Sequence, residues 1–457
     1  MEASGSSNEI NSDDSTPGFL AKESSELAID IPQMDLDMDF QEPRKIERVP
    51  LLLRNSQSNN KDYNPKMVSI GPYHHGKVEL QEAERVKLVI AKLFVAHSGK
   101  TLNELCGMIL PIVNDLKSCY AEVSLTEYSA KKFATMMLLD GCLVLAFIEL
   151  NALPFEGQRR SYMDEIKRLG MHAWTCFISD IRCLVENQLP FRVLQLLLNL
   201  IYKGDDGMKM INTYLNASID KAIKAEVHVS SILAKQQPLH LLELTIMTSR
   251  LCYSRRKKRS SKPQKKQTFL EYLHFFRSIS ELKAKGIFVR CSGSPSPTSV
   301  KFKSFFFFGL LDLPSMIISL DTRVVLSNII AYELTTGDEN MLLQLSFINL
   351  MKSLINHPED VEELRSKHIL RSEHYSSDEE VVKIVNSITT FPMEFIEIYE
   401  EVKESIQRHY NSKAKTWIAQ FIHIYFSSPW AFIAFLGAIF AMALTCIQTY
   451  FTIFPRH

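Results

Sequence analysis

The chain has 457 residues, 46% of them hydrophobic and 23% charged, which is ordinary globular usage and enough for a sizeable core. Lys plus Arg equals Asp plus Glu at 52 each, so the net charge points to neither a nucleic-acid nor an acidic-substrate partner. The eight cysteines are scattered without a disulfide framework or zinc spacing, and even Cys176 and Cys183, which could share one helix face, read as small core thiols.

Residues 1–45 are predicted to be a disordered acidic tail, since residues 1–42 hold eleven acidic side chains against one Lys. Within it Met34–Phe40 alternates apolar and acidic residues, a pattern able to dock on a partner, although a solvated tail is the first reading. The first forty residues have neither a basic start nor an apolar core, so no secretory signal is expected.

From Ile46 the composition turns globular. The string Val68-Ser69-Ile70-Gly71-Pro72-Tyr73-His74-His75-Gly76 places a histidine pair on a loop, because Gly-Pro and the closing Gly impose turns. Adjacent histidines bind metal or exchange protons near neutral pH. No third ligand stands at His-Glu-x-x-His spacing, so the expectation is a hydrogen-bonded structural loop, with catalysis or metal as the alternative.

A helix is predicted from about Glu79 to His97, with Val86, Ile90, Leu93 and Phe94 as its apolar stripe. Residues 126–150, opened by Thr126 as N-cap, read as a central buried helix whose Asp140 is satisfied by hydrogen bonds. Asp140 and Glu149 make it a poor membrane span. Next, Glu186, Asn187 and Gln188 sit where Pro190 must break any helix, and freed backbone groups there need partners. Capping of a core kink is the expected role, with a binding site as the alternative.

Another helix is expected around residues 240–244. The basic run that follows, Arg255, Arg256, Lys257, Lys258 and Arg259 with Lys262, Lys265 and Lys266, reads as an exposed loop. Attraction to anionic lipid, or a nuclear or nucleic-acid role, are its alternatives. Residues 286–320 break into short apolar runs between Pro and Gly, including Phe305–Leu311, and carry the convincing β signal. Helical periodicity returns from Thr322, and residues 376–412 are charged and helix-prone.

The last apolar run, Trp430 to Phe454, contains no charged residue and reads as one transmembrane helix. At ~1.5 Å per residue it reaches roughly 37 Å, enough to cross a hydrocarbon core of about 30 Å. The expected fold is therefore mainly α: a large helical body over residues 46–412 with a small β element near 286–320, then a juxtamembrane segment and C-terminal transmembrane helix over 413–457. Lacking a secretory signal, and with only Pro455, Arg456 and His457 beyond the helix, the chain is expected to insert after synthesis. The body would then face the cytosol from the plasma membrane or endoplasmic reticulum. Lys413 and Lys415 against Arg456 add little to that orientation. A glycan on Asn216, in the sequon Asn216-Ala217-Ser218, would contradict it.

Gly-rich phosphate loops, Gly-x-Ser-x-Gly elbows, kinase motifs and Cys-x-x-Cys pairs are all missing from the sequence, which lowers the enzyme reading. A set of ordered motifs remains: Arg48-Val49-Pro50, Val68 to Gly76, Met137-Leu138-Leu139-Asp140-Gly141-Cys142, Glu186-Asn187-Gln188-Leu189-Pro190-Phe191, Asn328-Ile329-Ile330-Ala331-Tyr332-Glu333, and Pro429-Trp430 with Leu444-Thr445 and Gln448-Thr449. Over residues 46–454 this order resembles the plant family called domain of unknown function 247. It departs at Glu47, at Glu243 and in the basic loop. The resemblance implies a single-pass plant membrane protein with a mostly helical body and no established catalytic activity or cofactor. The expected function is non-enzymatic recognition or signalling through an unknown protein partner. The alternatives are an enzyme using His74, His75 and Glu186, and a nuclear or nucleic-acid-binding role through residues 255–266.

Overall fold

The computed structural model describes residues 44–55, 59–121, 127–152, 158–170, 172–218, 232–234, 236–254, 277–294, 296–336, 342–373, 377–390, 398–412 and 429–453. The acidic tail, the Thr126 cap, the basic run 255–266, Lys413, Lys415 and Phe454 lie outside these residues. The chain divides after Pro43, and the compact unit that follows begins at Arg44.

A short helix, α1 (Leu51–Arg54), and a single 3-10 turn at Asn59–Tyr63 lead into residues 64–77, which form neither helix nor strand. In α2 (Gln81–Ser98), Ala83, Val86, Ile90, Ala91 and Phe94 recur at helical spacing and are buried. Gly99 stops it in a left-handed cap with φ 67°. Next comes α3 (Leu102–Ile109), opened by a capping box between Thr101 and Glu104, and then α4 (Val113–Ser118).

The centre of this half is α5 (Ala130–Ala152), buried on nearly every side from Phe133 to Glu149. Around it stand α6 (Gln158–Lys167), α7 (Ala173–Arg182), α8 (Phe191–Ile201) and α9 (Asp206–Ser218). Gly141 lets α8 approach: a Cβ there would meet Leu197 Cδ1 at 2.6 Å and Val193 Cγ1 at 3.0 Å. The helix α10 (Leu241–Ser254) follows. By length and apolarity α5 and the C-terminal helix would both cross a bilayer, but the apolar window of α5 is 83% buried and that of the C-terminal helix is 0% buried.

After α11 (Ile279–Ala284) the expected β element appears. It consists of β1 (Ile287–Cys291), β2 (Lys301–Ser304) and β3 (Gly309–Leu313), with β3 parallel to β1 and antiparallel to β2. The run Phe305–Leu311 is only partly strand, because Phe305–Phe308 make the exposed turn between β2 and β3. A separate pair joins β4 (Met316–Ile318) to β5 (Leu370–Ser372) in parallel. Helices α12 (Thr322–Thr335), α13 (Leu343–Leu354), α14 (Pro358–Ser366), α15 (Asp378–Ser387) and α16 (Glu400–Tyr410) complete this half, and α17 (Pro429–Ile453) ends the described chain.

Two apolar cores result. One runs from Ile46 to Leu244 around α5, and the other from Ile279 to Ile406 around α13 and the small sheet. A bridging cluster of Val49, Leu53, Tyr63, Val185, Leu242, Ile246, Ala331 and Tyr332 holds them together.

Candidate functional site

A buried stretch without regular structure must find acceptors for its own N–H groups. For residues 66–71 buried side chains supply them. Near the end of α7, the Asp180 carboxylate accepts from the N–H groups of Lys66, Met67 and Val68 at 2.7–3.1 Å. Asn187 Oδ1 accepts from the Ile70 N–H at 2.7 Å, while its amide donates to the carbonyls of Val68 at 3.0 Å and Asp180 at 2.9 Å. Asp140, midway along α5, accepts from the Gly71 N–H at 2.8 Å. Three side chains from separate elements thus fasten one segment across the core.

Two buried carboxylates at the clasp, Asp140 and Glu186, have cationic partners. Lys87 of α2 is fully buried and lies 2.6 Å from Asp140 and 2.6 Å from Glu84, also reaching the Ser69 hydroxyl at 3.2 Å. Burial pushes the Asp140 carboxyl up, against the pull of Lys87 and the Gly71 N–H. Glu186 accepts from the Val49 N–H at 2.6 Å, with an Arg54 guanidinium nitrogen at 2.6 Å and His74 Nε2 at 3.3 Å. Burial alone would push Glu186 up, but these three partners outweigh it and hold the carboxyl down at about 2. Burial lowers the His74 pKa and outweighs the opposing effect of the neighbouring carboxylate.

The remaining motif residues divide. Gln188 donates to the carbonyls of Ile181 and Leu184 and accepts from the Leu242 N–H, so it ties α7 to α10 across the break at Pro190. Pro190 itself bridges to His240. Tyr73 donates its hydroxyl to the Ile46 carbonyl at 2.6 Å. Gly71 sits at φ 74°, and a Cβ there would come within 2.7 Å of the Gln188 carbonyl and 2.8 Å of the Tyr120 hydroxyl. Pro72 is buried beside it. His75 and Gly76 take no part: the His75 ring packs edge-on against Tyr128, and Gly76 is exposed.

Sequence reasoning had not placed Lys87, Arg54 or Asp180 in the site. The signal for Lys87 was its position, on the same face of α2 as the buried Ile90 and Phe94. A second fastening, also unforeseen, lies at the join of the two cores. Asn328 accepts from the Val185 N–H at 3.1 Å and donates to the carbonyls of Asp62 and Val324. Glu333 accepts from the N–H groups of Gln344 and Leu345, which caps α13. Glu243 pairs with Arg44 and accepts from the Leu239 N–H.

His74 beside Glu186 has the composition of a proton-transfer pair. Its geometry is closed, however, with His74 2% exposed and Glu186 0%, and Arg54 occupies the carboxylate. Among the described residues no group of three or more His, Cys, Asp or Glu is placed to hold a metal. A cavity of about 250 Å³ lies elsewhere, lined by Gln195, Asn199, Tyr202 and Gly207 between α8 and α9, and shares no residue with the clasp.

These features define a class of protein: a mainly helical body closed by buried polar fasteners, followed by an apolar helix that remains uncovered. The chain belongs to the DUF247 family of plant proteins of unknown function, whose model matches residues 46–444. It is similar to the UPF0481 protein At3g47200 of Arabidopsis thaliana, with 26% identity across 86% of this chain and 83% of that protein. A second Arabidopsis thaliana UPF0481 protein, At3g02645, is 21% identical across 92% of this chain and 94% of its own length. No solved structure matches the chain.

Proposed function

We propose that the protein is a membrane-anchored, non-enzymatic recognition module whose helical body engages a protein partner. The observation that carries this reading is α17, an uncharged helix of 25 residues whose apolar window is 0% buried. Exposed apolar surface of this extent is stable in hydrocarbon and costly in water. The motif residues support the non-enzymatic part, because Asp140, Glu186, Asn187 and Gln188 spend their polar atoms on backbone groups, with the two carboxylates also paired to Lys87 and Arg54. A body held rigid in this way suits surface recognition better than chemistry at the clasp.

Two measurements test the reading. The full chain should resist extraction from plant membranes by alkaline carbonate, and cross-linking in intact membranes followed by purification should return a reproducible protein partner. Extraction into the soluble fraction removes the anchor, and the lack of any reproducible partner removes the recognition role. One contact favours the enzyme alternative, His74 against Glu186 at 3.3 Å. If that pair were catalytic, His74→Ala would leave the fold intact while abolishing activity; if it is a fastener, the same change lowers the melting temperature.

A further inference from the structure

The hairpin joining β2 to β3 ends in four consecutive phenylalanines. Phe305, Phe306, Phe307 and Phe308 are 44%, 71%, 53% and 38% exposed. The Phe305 N–H donates to the Phe308 carbonyl at 2.8 Å, which leaves Phe306 and Phe307 as a two-residue loop. Such loops favour Asn-Gly or a leading Gly, since the turns that match strand twist need positive φ. Neither phenylalanine has positive φ, so turn chemistry does not account for their presence.

Core packing does not account for it either. The Phe305 ring stacks on Phe308 with centroids 4.8 Å apart, Phe306 meets Phe307 edge-on at 4.9 Å, and Phe308 faces Phe288 of β1 at 6.5 Å. The rings pair with one another and make an exposed apolar cluster at the tip. An exposed patch of this kind is a liability in water unless something covers it.

Charge and shape name the occupant. Lys301 and Lys303 alternate along the exposed face of β2, immediately behind the tip. Between them Phe302 points the other way, with its ring 5.8 Å from that of His409 on α16. The Ser304 hydroxyl lies 2.8 Å from His409 Nδ1, so α16 braces the base of the hairpin and leaves the tip projecting. Projecting aromatic rings with lysines one strand step behind match a bilayer interface, where rings enter the acyl boundary and ammonium groups reach headgroup phosphates.

We propose that this hairpin tip inserts into the interface of an anionic phospholipid bilayer. The inference stands on the tip itself and adds a second membrane contact to the anchoring proposed above. Separate measurements read the two. Flotation of the full chain with vesicles after an alkaline wash reads α17. Quenching by brominated acyl chains of a tryptophan introduced by Phe307→Trp, compared with the unsubstituted chain, reads the tip. The added emission should be quenched, and more strongly in phosphatidylcholine vesicles containing phosphatidylserine than in phosphatidylcholine alone.

A second experiment uses the full chain with Leu436→Arg and Ile439→Arg, which removes the contribution of α17. Its sedimentation with phosphatidylserine vesicles should weaken about tenfold for each of Phe306→Ser and Phe307→Ser, the factor that withdrawal of one such ring from water contributes. Both positions are exposed, and unchanged thermal unfolding would show that the fold survives. A chain that floats while its added tryptophan escapes quenching overturns the inference and leaves the anchor standing. Vesicle binding indifferent to the serine variants overturns it too, and if those variants instead lose a co-purified protein, the tip is a protein-binding element.

Discussion

Lys87 and Asp140 are the pair on which the clasp depends most. Both are buried, 2.6 Å apart, and removal of Lys87 leaves Asp140 as an uncompensated charge, whereas Lys87 without Asp140 keeps Glu84. Lys87→Met should therefore lower stability by about 3–5 kcal/mol, whereas Lys87→Met with Asp140→Leu should recover part of that loss. Urea unfolding of the two variants checks it, and equal losses would show that the pair is not coupled. Asn187→Ala acts differently, by leaving the Ile70 N–H and two carbonyls unpaired, at about 1–3 kcal/mol for each group.

The same residue scale sets a pH dependence. Burial lowers His240 from 6.5 to about 3, with Arg44 adding to the effect. Between those values the unfolded chain binds a proton that the folded chain does not, so stability falls as pH drops through this window. Glu186, held at about 2 against 4.5, adds a loss in the same direction between those two values. Asp140 and Asp180 oppose it, because burial raises both, and a raised carboxyl favours the folded state at low pH. His240→Asn should flatten the slope of stability against pH between about 3 and 6.5 by up to ~1.4 kcal/mol per unit, the linkage of one proton. An unchanged slope in pH-dependent urea titrations would mean that His240 is not held neutral.

At the level of elements, periodicity and composition foretold α2, α5, α10, α12 and α17, yet one criterion failed to separate two of them. Length and apolarity give α5 and α17 the same description. What told them apart was polar content: Asp140 and Glu149 lie inside α5, where Glu149 accepts from the Tyr202 hydroxyl at 2.7 Å. Asp140 in an apolar run announced that it had a partner, but nothing local named Lys87, because the pairing comes from the packing of α2 on α5. The β2–β3 turn was misread for a related reason. Four phenylalanines in a row score as strand, and no Gly or Asn marks Phe306-Phe307 as the loop. For α17 the expected outcome is sharp. Leu436→Arg with Ile439→Arg places two charges at its centre, each costing about 2.5–3.5 kcal/mol on insertion, and should make the chain extractable from membranes by alkaline carbonate. Resistance to that extraction would mean that another segment is inserted.

At the scale of the whole molecule, the proposed anchoring makes the orientation of the body testable. The natural sequon is a poor reporter, because Asn216 lies inside α9 and is half buried, whereas a glycan needs an accessible surface acceptor. An unmodified Asn216 is therefore expected in either orientation. A better reporter comes from the left-handed cap of α2. Gly99 is exposed at φ 67°, and a Cβ there would meet nothing within 4 Å. Asn is tolerated in that conformation. Gly99→Asn alone turns residues 99–101 into an acceptor, because Thr101 already stands two positions on. In the proposed cytosolic orientation this variant should migrate unchanged in plant microsomes, and protease added to sealed, right-side-out vesicles should digest the body. A mass shift reversed by endoglycosidase, together with protection from protease, would place the body outside the cytosol. The partner would then belong to an exoplasmic surface, and recognition would act between cells.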